Sequence, residues 1–148
     1  MIPFAVRTAF YNLLNVTGVT SQLSTAYGVT AIFWEQAPQV SDPSSDAGFP
    51  YITCLQVSDP GFSTKDAVGT SALIQVDVWS RLQTGECEAV AQACFTALDR
   101  ADIVATLPGF VRLDCEGMAF SRDSGGISRD PDGITRRALM TFRLVALP

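Results

Sequence analysis

The sequence predicts an α+β fold: a single compact domain over residues 1–148, with a mostly antiparallel sheet, helices packed on one face and long hairpin loops. Three observations carry this. From Thr70 to Arg81, Ala72, Ile74, Val76 and Val78 alternate with Leu73, Gln75, Asp77 and Trp79, the period-two pattern of a strand with one dry side. At Thr84 the period changes, and Cys87, Val90, Ala91, Cys94, Leu98 and Ala101 recur at helical spacing, with Glu88 and Gln92 turned away from most of that stripe. The other strand-like runs are joined by turn residues rather than helices, and such short returns produce antiparallel neighbours.

The elements follow in order. Pro3 suits a first helical position, and Val6, Ala9, Phe10, Leu13 and Leu14 form one stripe, so a helix is expected from Pro3 to Leu14. Val19 to Ala26 reads as a short second helical turn closed by Gly28, which can supply left-handed geometry. Val29 to Trp34 is a short extended run. Gln36 to Pro50 carries three prolines and a glycine among Ser and Asp, the composition of a long exposed loop. Tyr51 to Val57 is the next strand, and Phe62 to Gly69 the polar tip of an extended hairpin leading into Thr70 to Arg81. The long helix runs from an N-cap at Thr84 to Ala101, with Glu86 and Glu88 at its start and Arg100 near its end matching the helix dipole.

Leu107-Pro-Gly109 is a turn. Phe110 to Arg122 then alternates, with Val111, Leu113, Cys115 and Ala119 opposed to Arg112, Asp114, Glu116 and Met118, a strand with one wet side. Gly125-Gly126 and Pro131-Asp-Gly133 mark a long hairpin connection. The last strand, Arg136 to Leu147, places Ala138, Met140, Phe142 and Leu144 on one face.

Composition narrows the function. With 47% hydrophobic and 17% charged residues among 148, the chain can bury a real core. A net charge of -5 and a single lysine, Lys65, argue against a surface that grips nucleic acid by its phosphates. No apolar run is long enough for a membrane helix, and the start lacks the basic-then-apolar order of a secretory signal. The expectation is a soluble chain, cytosolic at synthesis. Cys54, Cys87, Cys94 and Cys115 include no close pair and sit within predicted elements, as small buried hydrophobes would.

Catalytic motifs are sparse. The sequence has no histidine, which removes imidazole-based nucleophile activation and the commonest metal ligand. Asp77 could join Asp114 and Glu116 as a carboxylate group if their strands pair; the competing reading is solvated strand faces. Gly125-Gly126 lacks the lysine and following helix of a phosphate loop, and Asp130-Pro-Asp-Gly133 lacks the ligand spacing of a calcium loop. No cofactor and no metal is expected. Trp79, between Asp77 and Arg81 on the wetter side of its strand, is either an interface anchor or a cover for the sheet.

The order of several pieces resembles a known family. Pro50-Tyr-Ile closes a Pro-rich loop; Val76-Asp-Val-Trp-Ser-Arg81 follows; a helix contains Glu88-Ala-Val-Ala and Ala97-Leu; and Asp130-Pro-Asp-Gly-Ile-Thr-Arg-Arg precedes the closing strand. Nearly the whole chain is similar to the tail-completion or tail-terminator proteins of long non-contractile-tailed phages and gene transfer agents. The resemblance implies a non-enzymatic virion protein, assembled in the bacterial cytoplasm, that forms a hexameric ring on the head-proximal end of the tail tube. Such a ring stops tube growth and receives the head connector. Its implied partners are further copies of itself, the tail tube protein and a head-tail connector or stopper, with DNA passing only through the lumen and no membrane contact. Another neck protein, or a small-ligand-binding α+β domain, are the competing readings.

For a ring protein, mixed charge around a long loop with no chemistry to perform suggests contact with a neighbour. Arg122, Asp123, Arg129, Asp130, Asp132 and Arg136 form such a charged hairpin, and Trp79 and Arg81 are added as candidate interface residues. The competing reading for the hairpin is a solvated connection with incidental charges.

Overall fold

The computed structural model describes residues 4–38, 46–58, 62–63, 68–81, 84–104, 107–122 and 135–147. Helices α1 (Phe4–Leu14) and α2 (Thr17–Thr20) precede strand β1 (Ile32–Trp34). Strands β2 (Tyr51–Ser58), β3 (Phe62–Ser63) and β4 (Val68–Ser80) follow, then helix α3 (Thr84–Leu98) and strands β5 (Phe110–Arg122) and β6 (Arg136–Ala146). The sheet runs β1-β2-β4-β6-β5, with β3 paired to β4 off this path. All pairings are antiparallel except β1 with β2. The fold is therefore α+β, as expected, with one parallel pair that the hairpin reasoning does not anticipate.

The alternations assign the faces of the two central strands correctly. Ala72, Ile74, Val76 and Val78 of β4, and Ala138, Met140, Phe142 and Leu144 of β6, are completely buried. They share a core with Val90, Ala91, Cys94 and Leu98 of α3. Phe10 of α1 meets Phe142 edge to face at 6.4 Å, which puts α1 on the same side of the sheet. Phe10 also meets Trp34 at 6.3 Å, closing the core toward β1. Truncating an aromatic anchored in this way costs about 3–5 kcal/mol.

Four of the boundaries that differ from expectation have a local reason. The second helix is one turn at Thr17–Thr20, because Thr20 Oγ1 and Gln22 Nε2 donate to the backbone carbonyls of Val16 and Gly18, side-chain bonds that loosen a short helix. Gly28, at φ +72°, closes a separate turn rather than that helix. Helix α3 stops at Leu98 rather than Ala101: Arg100 adopts φ +60° and its N–H donates to Leu113 O at 2.8 Å. The end of the loop before β2 is pinned instead of exposed. Asp46–Gly48 forms a short 3-10 turn, Ser24 Oγ donates to Ala47 O, Tyr27 OH donates to Gly48 O, and Gly48 and Pro50 are buried.

The largest correction concerns β5. Its pairing with β6 slips between Phe110 and Arg112 and again between Cys115 and Gly117. Each slip is a bulge, and one extra residue inverts the faces that follow. Val111, expected on the dry side, is 50% exposed. Met118 lies across from Met140 and Phe120 from Ala138, on the helix-bearing side, whereas Ala119 pairs with Leu139 on the open side. The expected assignment of Ala119 and Met118 is therefore reversed.

Candidate assembly interface

The open side of the sheet, opposite the helices, carries an ordered polar and aromatic layer. Register places Tyr51, Trp79, Arg137 and Ser121 in one row across β2, β4, β6 and β5. Tyr51 and Trp79 stack at 6.2 Å with 19° between their planes, and the Arg137 guanidinium sits 5.0 Å over the Trp79 ring. Trp79 Nε1 donates to Thr53 Oγ1 at 3.2 Å. This is a cation resting on an aromatic face with the indole N–H satisfied, a stiff arrangement.

Beneath it, Asp77 is 6% exposed and accepts at Oδ2 from Arg137 Nη2 and from Gln75 Nε2, both at 2.8 Å. Asp77 Oδ1 has no hydrogen-bond partner. The sequence reads Asp77 as a solvated or catalytic carboxylate near Asp114 and Glu116. The structure contradicts that grouping, because β6 lies between β4 and β5. Each acid has its own arginine instead: Asp77 with Arg137, Glu116 with Arg143 at 2.9 Å, and Asp114 with Arg112 at 3.5 Å. The hydrogen bond from Arg143 holds the Glu116 carboxyl below its ordinary range.

The four sequence-predicted residues that are described, Trp79, Arg81, Arg122 and Arg136, lie at one end of the sheet. Trp79 lies at the close of β4 and Arg81 just beyond it, while Arg136 opens β6 and pairs in register with both Ser80 and Arg122. Arg81 is 7% exposed with its guanidinium 5.5 Å over Phe49, so burial places it under the surface of the isolated chain. Ser80, completely buried, donates to Glu86 Oε1 at 2.7 Å and ties this end to the start of α3. Asp123, Arg129, Asp130 and Asp132 lie outside the described residues.

Sequence reasoning missed Tyr51, Phe49 and Arg137, which build the layer around Trp79. The signal was present as alternation, since Arg137 occupies the position across from Trp79 once β4 and β6 are paired. It also missed Phe120, 54% exposed on the outermost strand, with Met118 beside it at 38%.

Burial disfavours the thiolate at all four cysteines. Burial pushes Cys94 up to about 12 and Cys54 higher still, and burial also raises Cys87 and Cys115. A raised pKa suppresses the nucleophilic thiolate. Among the described residues, no group of three or more acidic or cysteine side chains could hold a metal ion, and no helix is long and apolar enough to cross a membrane. The open face is thus built from the Tyr51–Trp79–Arg137 layer and the Asp77 ion pair beneath it.

The family described as tail completion protein gp17 matches residues 17–146. No curated protein sequence gives a significant match. Among solved structures, a chain from the virion of a native gene transfer agent particle superposes with a TM-score of 0.70 at 20% identity, over 95% of this chain and 93% of that one.

Proposed function

The chain belongs to the tail completion protein gp17 family, a family of structural tail proteins, and from that premise we propose that it caps the head-proximal end of the tail tube as a hexameric ring. In this reading the ring ends tube growth and presents the surface on which the head connector or stopper docks. The role is structural rather than catalytic. Its partners are copies of itself, the tail tube protein and the connector, and DNA only transits the lumen. The net charge of -5 suits a channel to which DNA does not adhere.

One structural observation carries the ring. Among the described residues the sheet ends in two unlike margins, β1 on one side and β5 on the other. Two different surfaces at opposite ends allow a head-to-tail contact, and such heterologous contacts close into rings when the rotation permits. Arg122 and Arg136 form the base of the charged connection between β5 and β6, and that connection, with Arg129 and Asp130, is the proposed contact with a neighbouring subunit or ring.

The test is a capping reaction. Purified tail tubes incubated with the chain, then offered fresh tube protein, should carry a ring at one end and fail to extend from it. Tubes that extend equally with and without the chain would refute the terminator role.

A further inference from the structure

Among the described residues, the outer edge of β5 is guarded along only part of its length. At Leu113 the carbonyl accepts from Arg100 N–H, and at Cys115 the backbone N–H donates to Asp99 Oδ1, both at 2.8–2.9 Å. The segment leaving α3 therefore occupies the place a further strand would take. Beyond the bulge at Glu116 none of the described hydrogen bonds continues that guard, and every residue from Glu116 to Ser121 is exposed. An unguarded strand edge is a surface that natural proteins cover or charge. Here it carries Met118 and Phe120 instead, projecting from the helix-bearing side.

The opposite margin offers a matching recess. A shallow groove of about 520 Å³ lies where the chain enters β1, lined by Thr20, Leu23, Gly28, Val29, Thr30 and Ala31 among others, with no charged residue. Val29 is 62% exposed. The two features cannot meet within one chain: β1 and β5 are separated by four strand spacings, about 19 Å at roughly 4.8 Å each. They can meet between chains related head to tail. An apolar projection on one margin and an uncharged recess on the other are the unlike, complementary patches that a heterologous contact requires.

We infer that the free segment of β5, led by Phe120 with Met118, seats in the groove beside β1 of a second copy of this chain. The inference rests on the ring reading above and names the contact that would close the ring. The contact is side-chain led, with Phe120 as the aromatic anchor at the centre of an apolar patch.

Cross-linking tests it. In a Cys115→Ser background, where the remaining cysteines are buried, F120C combined with V29C should yield a ladder of covalent oligomers with a short bis-maleimide on capped tubes, while either single variant should not. Covalent dimers from F120C alone would show two-fold pairing of β5 edges and overturn the proposal. Absence of a ladder while rings still form would overturn this contact and leave the ring reading standing. A parent chain that forms no ring on tubes would overturn both. Independently, Phe120→Glu, at an exposed position, should keep the thermal unfolding midpoint but raise the concentration needed for ring formation at least tenfold; an unchanged concentration dependence would also refute the contact.

Discussion

Gly28 and Gly109 form a matched pair of probes for the backbone. Both have positive φ, +72° and +89°, so alanine at either meets the steric cost of the left-handed region, on the order of 1 kcal/mol. Their surroundings differ. A Cβ at Gly28 would meet nothing within 4 Å, whereas at Gly109 it would fall 2.6 Å from the carbonyl oxygen of Leu147. That carbonyl belongs to backbone that cannot swing aside as a side chain could. Leu147 N–H also donates to Gly109 O at 2.6 Å, so relieving the clash loosens a hydrogen bond that fastens the end of β6 beside the start of β5. Adding a net contribution near 1 kcal/mol for that bond and a similar amount for displaced packing gives about 2–4 kcal/mol for Gly109→Ala, against about 1 kcal/mol for Gly28→Ala. Urea unfolding at constant slope should separate the two midpoints accordingly. Costs equal within about 0.5 kcal/mol, close to the spread expected of independent sites, would refute the claim that the approach of Leu147 dictates glycine at 109.

Three further outcomes follow, two from the ion pairs of the sheet and one from the Arg129–Asp130 pair of the sequence. Asp77→Ala removes the acceptor for both Arg137 and Gln75 and should cost about 1–3 kcal/mol, with an Arg137→Ala double-mutant cycle in urea showing positive coupling; strict additivity would mean the pair is incidental. Glu116→Gln should destabilise the chain by less than about 1 kcal/mol at pH 7, because the Glu116 carboxylate is open to solvent. The Glu116 carboxyl is depressed in the folded chain, so its contribution is present above the unfolded value near 4.5 and fades as pH falls through the lower folded value. Thermal melts of the two proteins should therefore converge in acid, and a difference that persists there would point to lost packing. Neutralising Arg129 and Asp130 together should lower the yield of capped tubes without shifting the monomer's melting temperature; undiminished capping would remove that hairpin from the interface.

What could be read from the sequence was what is encoded within a few residues. The faces of β4 and β6 follow from strict alternation, and the stripe of α3 from Cys87, Val90, Ala91, Cys94 and Leu98, all buried. What escaped depended on contacts between distant residues. The bulges of β5 accompany a hydrogen bond from Cys115 N–H to Asp99 Oδ1 and one from Arg100 N–H to Leu113 O, and no pattern within Phe110 to Arg122 reveals them. The left-handed turn at Arg100 is adopted by a residue that carries no glycine-like signal. The parallel pairing of β1 depends on where the chain returns, since Ile52 N–H donates to Ala31 O.

The candidate interface divides in the same way. Trp79 and Arg136 were legible as unusual residues near strand ends, and the sheet does gather them. Trp79's role in the isolated chain became visible only with Tyr51 on one side and Arg137 on the other. Arg81 resembled a surface charge, yet it lies beneath the surface against Phe49. Phe120 was hidden in a strand whose phase the second bulge reverses.

The proposed terminator role is tested by the length distribution of tails in particles from a producer strain lacking the gene for this chain. Electron microscopy should show headless tails running well past their normal length, with length control restored by supplying the chain in trans. Tails of normal length, left unjoined to filled heads, would contradict termination and move the protein to the connector side of the neck.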